Sequence, residues 1–187
     1  MNEQIIKTAD TTGNPGALGL TGFGLATLML SFKNMGFFLD DLPVIAMAIF
    51  VGGLIQVIAG SMAWKKGNTF ETVAFTSFGF FWLSFAFILI APFGLAHAGD
   101  FSVGLYLLLW GILGLFLLFG TLKVGTKMLI AIFTLLVLTF FVTAAAHFVD
   151  LQLLALVSGF CAFLLGSSAL YTAMATVLNE LGCKLPM

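Results

Sequence analysis

The polar side chains in this chain that suit the binding of a small solute are few and uncharged. Gln56 lies nine residues before Lys65 inside a long apolar stretch. Its side-chain amide finds few hydrogen-bond partners in hydrocarbon. The other candidates carry hydroxyl groups: Thr21, Thr76, Ser77, Thr134 and Tyr171. Each of these groups could simply form hydrogen bonds between helices. As a set, they predict the lining of a solute pathway.

Asn14-Pro15 precedes the first apolar stretch. Asn is a favoured N-cap and Pro suits the first position of a helix. A helix that begins here leaves the N–H groups of Gly16, Ala17 and Leu18 without helical partners. These donors and the positive helix end suit a carboxylate, although ordinary capping explains the pair equally well. We expect Asn14, Pro15 and Leu18 to lie at one mouth of the pathway.

Three large apolar residues share one predicted depth. Thr21-Gly22-Phe23-Gly24 is echoed by Thr76-Ser77-Phe78-Gly79, and Phe133-Thr134-Leu135 has a similar place in the fifth apolar stretch. At about 1.5 Å per residue, all three lie roughly 10 to 12 Å from the starts of their helices. The pattern predicts a hydrophobic constriction at Phe23, Phe78 and Leu135.

Several kinds of chemistry are disfavoured by what the sequence lacks. The chain has no arginine, so no guanidinium clamp can hold a carboxylate or phosphate. His97 and His147 stand apart from the clusters of Cys, Asp or Glu that a metal site needs. No catalytic constellation falls within an apolar stretch. We therefore expect no enzyme, no metal, no cofactor and no nucleic-acid partner.

Six apolar stretches account for most of the chain, which is 61% hydrophobic, 8% charged and has a mean hydropathy of +1.16. Each is near the roughly 20 residues that cross a bilayer. The sequence predicts an all-α polytopic membrane protein in contact with membrane lipid. Its predicted spans are 16–33, 43–64, 71–91, 102–122, 128–148 and 152–178.

The distribution of lysine predicts the orientation of these spans. Lysine is concentrated on the face that holds both termini, and Lys33 alone lies near the other. The positive-inside rule then places both termini in the cytoplasm. We expect a cytoplasmic tail at 1–13 without a cleaved leader, one membrane domain at 14–180 and a cytoplasmic tail at 181–187. Lys33 either anchors its helix at the interface or gathers anions at the outer mouth.

Internal similarity indicates three parallel two-helix repeats. The odd-numbered spans carry the Phe23, Phe78 and Leu135 level, and the even-numbered spans carry small residues two turns apart, such as Gly53 with Gly60. Small residues on one face allow neighbouring backbones to approach. Repeats of this kind turn about an axis along the membrane normal. That axis is the expected place for a pore.

The chain resembles the acetate uptake transporter family, the succinate–acetate permeases, along essentially its whole length. Asn14-Pro15-Gly16-Ala17-Leu18-Gly19-Leu20 is similar to the family signature Asn-Pro-Ala-Pro-Leu-Gly-Leu. Further matches are Gly52-Gly53 with Gln56, Lys66-Gly67-Asn68-Thr69-Phe70, Thr76-Ser77-Phe78-Gly79, Gly120-Thr121-Leu122-Lys123, and Ala169-Leu170-Tyr171 with Asn179-Glu180. Two departures are Gly16-Ala17 for Ala-Pro and Phe78 where tyrosine is common.

The resemblance implies a homohexamer with one pore in each protomer, narrowed at Phe23, Phe78 and Leu135. It implies passage of acetate, or of other small carboxylates such as succinate, across an inner membrane. The sequence leaves open a channel or a proton-linked transporter, because no ionisable residue is evident in mid-membrane. Two alternatives remain: a channel for neutral solutes or gases, and a structural membrane protein without transport.

Overall fold

The helices of the structure follow the predicted spans closely. The computed structural model describes residues 12–149 and 151–187, without the side chain of Val124. Six helices are long and apolar enough to cross a membrane, and each end lies within two residues of its prediction. They are α1 (Pro15–Asn34), α2 (Leu42–Lys65), α3 (Thr69–Ile90), α4 (Asp100–Val124), α5 (Lys127–Val149) and α6 (Gln152–Glu180).

Local sequence explains where the helices begin and where they are irregular. Asn14 caps α1 by accepting a hydrogen bond from Gly16 N at 2.9 Å, and Asn68 caps α3 through Glu71 N at 3.1 Å. Within α2, residues Met47–Ile55 are π-helical, a distortion common at functional sites. It ends immediately before Gln56. A short 3₁₀ turn, Pro92–Gly94, lies between α3 and α4.

The residues of the predicted tails are only partly within the described part of the chain. Residues 1–11, which include Lys7, and Asp150 lie outside it. At the other end, Asn179 fixes the segment after α6, because its side chain both accepts a hydrogen bond from Leu185 N at 2.7 Å and donates one to Leu185 O at 3.0 Å. The division into tails and membrane domain stays a prediction.

Packing follows a three-fold pattern. Each even-numbered helix packs closely on the odd-numbered helix of the next predicted repeat: α2 on α3, α4 on α5, and α6 back on α1. The backbones of α3 and α4 approach little. Tyr106 bridges them instead, since its hydroxyl donates to Phe81 O at 2.9 Å and its ring stacks on Phe81 at 5.9 Å. This arrangement places α1, α3 and α5 around a shared apolar core.

Glycines set the distance between the packed helices. A Cβ atom on Gly24 would lie 2.9 Å from Leu170 N and 3.0 Å from Gly166 O of α6. One on Gly79 would lie 2.9 Å from Val57 N and 3.0 Å from Gly53 O of α2. Backbone atoms cannot move aside cheaply in a packed bundle. The closest contacts between α1 and α6, and between α3 and α2, therefore require glycine.

We expect Gly24→Ala to lower the free energy of unfolding by about 1–3 kcal/mol, the usual cost of overpacking. Helix propensity alone would change it in the opposite direction by up to about 1 kcal/mol, so the sign of the effect is informative. Unfolding of the purified protein in mixed detergent micelles measures it. Gly99→Ala is the control, because nothing lies within 4 Å of its added Cβ. Equal stability of both variants would contradict the close approach of α1 and α6.

Candidate functional site

Four pockets lie along the bundle, and neighbouring pockets share lining residues. We call the side on which α1 begins and α6 ends the terminal side, and the opposite one the far side. The terminal-side mouth opens into the terminal-side cavity, and both are lined by Glu71. The mouth is lined by Thr12, Asn14, Pro15, Lys66, Asn68, Glu71 and Glu180. The cavity is lined by Gly16, Leu20, Phe23, Gln56, Phe70, Glu71, Ala74, Phe75, Phe78, Leu129, Ile132, Phe133 and Leu136.

The far side has the same arrangement of a deep cavity and a polar mouth. The far-side cavity is lined by Phe23, Thr27, Leu30, Asn34, Phe81, Trp82, Phe85, Leu107, Thr139, Phe140, Thr143, His147, Ala162 and Leu165. The far-side mouth shares Asn34, Thr143 and His147 with it and adds Asp100, Ala146, Leu151, Gln152, Ala155 and Ser158. Both mouths are therefore polar, and the two cavities between them are mainly apolar.

Aromatic rings separate the two cavities. Phe23 is 5% exposed and lines both of them. Its ring centroid lies 6.2 Å from that of Phe78, and Phe78 stacks on Phe140 at 6.0 Å. These separations are those of rings in contact. The terminal-side cavity has a volume of about 80 Å³ and the far-side cavity about 100 Å³, each far above the roughly 10–15 Å³ that one water needs. The two cavities are thus large enough for water, and the rings of Phe23 and Phe78 are in contact between them.

The backbone holds both phenylalanines in place. Gly22 and Gly24 flank Phe23, and a Cβ on Gly22 would lie 2.6 Å from Val51 O of α2. Gly24 packs against α6, as described above. Gly79, which follows Phe78, packs against α2. The segments that carry the two rings are thus wedged between neighbouring helices. Movement of the rings is limited mainly to their own side-chain torsions.

Each cavity is lined by a residue with a deeply buried polar atom that has no hydrogen-bond partner among the described residues. Gln56, with Oε1 unpaired, lines the terminal-side cavity, Trp82, with Nε1 unpaired, lines the far-side cavity, and the two residues are 1% and 2% exposed. Leaving such an atom unpaired costs about 1–3 kcal/mol. The oxygen and nitrogen of an amide are assigned from their surroundings, so Gln56 can accept or donate after a half-turn. Trp82 can only donate.

Hydroxyl groups near the pathway are already committed as donors. Thr27 donates to Phe23 O, Thr139 to Leu135 O and Thr143 to Thr139 O, at 2.7, 2.7 and 2.6 Å. Bonds of this kind to the preceding helical turn satisfy a hydroxyl within its own helix. In these conformations, the three threonines offer only lone pairs to the far-side cavity.

The structure brings five of the predicted pathway and constriction residues together. Asn14 and Pro15 line the terminal-side mouth, Gln56 and Phe78 line the terminal-side cavity, and Phe23 lines both cavities. The amide of Asn14 also donates to Glu180 Oε1 at 3.4 Å. Two of the predicted entrance residues and two of the three predicted constriction residues thus line these neighbouring pockets.

The other predicted residues line neither of the two cavities nor either mouth. The hydroxyls of Thr21 and Thr134 donate to Ala17 O and Ile130 O of their own helices, and that of Tyr171 to Pro186 O at 2.9 Å. Thr76 packs against Gly60 of α2. The remaining members of this group are Leu18 and Ser77, which are half-buried, and Leu135.

Leu135 is one residue away from the lining position on α5. It is half-buried and packs against the core that contains Phe23 and Phe78, whereas the buried Leu136 lines the terminal-side cavity. One residue turns a helix by about 100°, and Leu136 lies as far from Lys127 as Phe78 lies from Thr69. The residue of α5 that completes the constriction stays a prediction, with Leu135 and Leu136 as candidates.

The sequence analysis missed the polar face of α5 and the carboxylate of α3. Thr139, Thr143 and His147 are spaced four residues apart, which places them on one helix face, and all three line the far-side cavity. The four-residue spacing is visible in the sequence and could have predicted this polar face. Glu71 had no comparable signal, because its position at the pathway depends on how α3 packs beside α1.

The described charged side chains that line these four pockets are Lys66, Glu71 and Glu180 at the terminal-side mouth and Asp100 at the far-side mouth. His147 Nδ1 lies 3.0 Å from Asp100 Oδ1 at the far-side mouth. Lys33 pairs with Asp41 and lines neither the far-side cavity nor the far-side mouth. Among the described residues, no group of three His, Cys, Asp or Glu side chains could hold a metal ion.

Comparison with known proteins matches this architecture along nearly the whole chain. The chain is 43% identical to the succinate-acetate/proton symporter SatP of Escherichia coli (strain K12), over 89% of each protein. A solved structure of the bacterial acetate channel SatP superposes with a TM-score of 0.91 at 41% identity, covering 95% of this chain and 99% of that one.

A more distant relative has another described cargo. The ammonia transport outward protein 2 of Saccharomyces cerevisiae is 40% identical over 72% of this chain and 51% of its own length. The family model described as GPR1/FUN34/yaaH matches residues 2–184. The chain is a multi-pass membrane protein, and it belongs to the GPR1/FUN34/yaaH family.

Proposed function

We propose that this protein carries acetate, and other small carboxylates such as succinate, across the membrane through the line of cavities inside one protomer. The observation that carries the proposal is the meeting of two cavities at Phe23, with a polar mouth beyond each. The names of its relatives supply the substrate class, since one is a succinate-acetate/proton symporter and another an acetate channel.

The lining suits weak binding on either side of a dry constriction. A carboxyl group has polar partners at both mouths and an amide at Gln56, while the rings of Phe23 and Phe78 face an apolar carbon chain. A hydrophobic constriction interrupts a continuous column of water, and weak binding at several points allows release as well as capture. A substrate with one polar end and a short apolar body fits this sequence of surroundings.

The larger assembly and the orientation belong to the same proposal. We propose a homohexamer in an inner membrane, with both termini cytoplasmic. Large apolar side chains are exposed on the outer surface, such as Phe116 of α4 at 70% and Phe160 of α6 at 56%, and lipid or neighbouring protomers would cover them. Crosslinking in native membranes and labelling of Cys183 from either side test assembly and orientation.

Transport is tested directly in proteoliposomes. Purified protein should speed the uptake of radiolabelled acetate over protein-free liposomes, and unlabelled succinate should compete. Protein-free liposomes are essential because acetic acid crosses lipid by itself. An uptake equal to that background, with correctly folded protein, would contradict the proposal.

Ammonia passage is a second candidate, because a relative is described as an ammonia transporter and the cavities carry little charge. The indole N–H of Trp82 favours a carboxyl group, because it can donate but cannot accept a hydrogen bond from ammonium. The threonine lone pairs at the far-side cavity can accept from the N–H groups of ammonia or from the O–H of a protonated acid, and they do not separate the two cargoes. Uptake of labelled methylammonium in the same liposomes compares the two cargoes.

We expect Phe23→Ala and Phe78→Ala to widen the constriction. The flux of butyrate relative to acetate should rise by roughly tenfold or more, since each methylene in an apolar site is worth that order of discrimination. The matched control is Phe80→Ala, because Phe80 is 54% exposed on the same helix as Phe78 and lines neither cavity. Monodisperse elution of each variant separates widening from misfolding. Folded variants with unchanged selectivity would remove these rings from the constriction.

The same flux ratio identifies the residue on α5. Leu135→Ala and Leu136→Ala remove equal volumes from adjacent positions. We expect the variant at the constriction to pass more butyrate and the other to affect stability alone. If neither variant changes the ratio, α5 contributes no gate at this depth.

Two substitutions of Asn14 separate capping from substrate binding. Asn14→Ala should cost about 1 kcal/mol of stability through the lost cap and raise the half-saturation concentration of acetate. Asn14→Ser keeps a capping oxygen but loses the amide donor. If the donor binds substrate, Asn14→Ser raises half-saturation with little loss of stability. A normal half-saturation for the serine variant would leave Asn14 as a cap alone.

A further inference from the structure

Glu71 stands where the terminal-side mouth meets the terminal-side cavity, and it lines both. Its backbone N–H is fixed by Asn68, so the residue sits in the first turn of α3. Its Oε1 would lie only 3.2 Å from a Cβ on Gly16. The carboxylate therefore lies against the first turn of α1, beside the path of any solute that passes from mouth to cavity.

The described charged residues that line this junction carry a net negative charge. Lys66, in the connection between α2 and α3, donates to Thr12 O at 3.2 Å and also acts electrostatically on Glu71. Glu180 of α6 contributes a second carboxylate at the mouth. Neither α1 nor α5 adds a charged side chain to the cavity lining: Gly16, Leu20 and Phe23 come from α1, and α5 supplies only apolar residues. Among the described residues that line the terminal-side mouth and cavity, one lysine thus accompanies two carboxylates.

A carboxylate anion that enters here meets a like charge where the polar mouth gives way to the apolar cavity. Like charges repel more strongly as the surroundings become less polar, and Glu71 is the innermost of the charged groups at this mouth. A protonated acid feels no such repulsion. It can also donate its hydroxyl hydrogen to the unpaired Gln56 Oε1 deeper in the same cavity.

We propose that Glu71 is a specificity-determining residue that disfavours the carboxylate anion and selects the protonated acid. The inference rests on the proposed transport of small carboxylates. Acetate then crosses as acetic acid, with its own proton and without net charge. Each acetate that crosses in this way brings one proton with it. Transport is therefore linked to protons without a chain of ionisable groups through the membrane.

Voltage separates the two charge states of the substrate. Acetate uptake is measured in proteoliposomes at equal pH on both sides, with a potassium gradient and valinomycin setting the membrane potential. We expect uptake by the parent protein to be independent of voltage. Glu71→Gln keeps the size and capping position of the side chain but removes the charge. It should make uptake voltage-dependent at neutral pH and increase it by on the order of tenfold at an inside-positive potential.

Two further variants identify the charge at this position as the cause. Glu71→Asp retains the carboxylate and should behave as the parent protein. Asp40→Asn removes a charge from an exposed connection that lines neither mouth and neither cavity, and it should also leave uptake independent of voltage.

Three outcomes would overturn the filter: voltage-dependent uptake by the parent, voltage-independent uptake by Glu71→Gln, or the same change in Asp40→Asn. A parent protein that passes no acetate at any pH would instead refute the proposed function itself. The two failures are therefore distinguishable.

Discussion

The contact between Phe23 and Phe78 depends on the glycines beside them, which allow the helices that carry the two rings to pack closely on their neighbours. Each ring is carried by a segment whose neighbouring glycine touches the backbone of another helix. Any side chain at these glycines would push the helices apart, and the rings would no longer meet. Close approach of backbones at small residues is the main source of specific packing in membranes, where the hydrophobic effect does not drive helices together. The contact between the two rings, where we propose the constriction, is thus held by the same contacts that assemble the bundle.

Burial of polar groups follows from this tight packing. Threonine hydroxyls along the far-side cavity donate to their own helices, since the apolar surroundings provide few other acceptors. The pathway is left with a small number of uncommitted polar atoms, of which Gln56 Oε1 and Trp82 Nε1 are the most buried. A pathway of this kind binds a solute weakly at each point. Weak binding is compatible with passage, whereas a fully satisfied polar pocket would retain its ligand.

The sequence predicts what depends on a single helix, and it does not determine what depends on the packing of neighbouring helices. The six spans, the cap at Asn14 and the depth of Phe23 and Phe78 follow from local composition and from counting along one helix. The rotation of a helix about its own axis does not. An error of one residue turns a side chain by about 100°, which separates Leu135 from the lining position of Leu136. Thr134 lines neither cavity, because the side of a helix that meets a cavity is decided by the packing of its neighbours and is not visible in the sequence of that helix alone.

Glu71 illustrates a further limit of reading one helix at a time. In sequence it is an ordinary acidic residue in the first turn of a capped helix, where a negative charge is favoured. In the structure the same carboxylate lies against the start of α1, the place where the sequence predicted that a substrate carboxylate would bind. The helix end that would attract an anion is thus already faced by a carboxylate of the chain itself. This carboxylate would repel a substrate anion at the start of α1. A protonated acid carries no charge, so it can approach the same mouth without that repulsion.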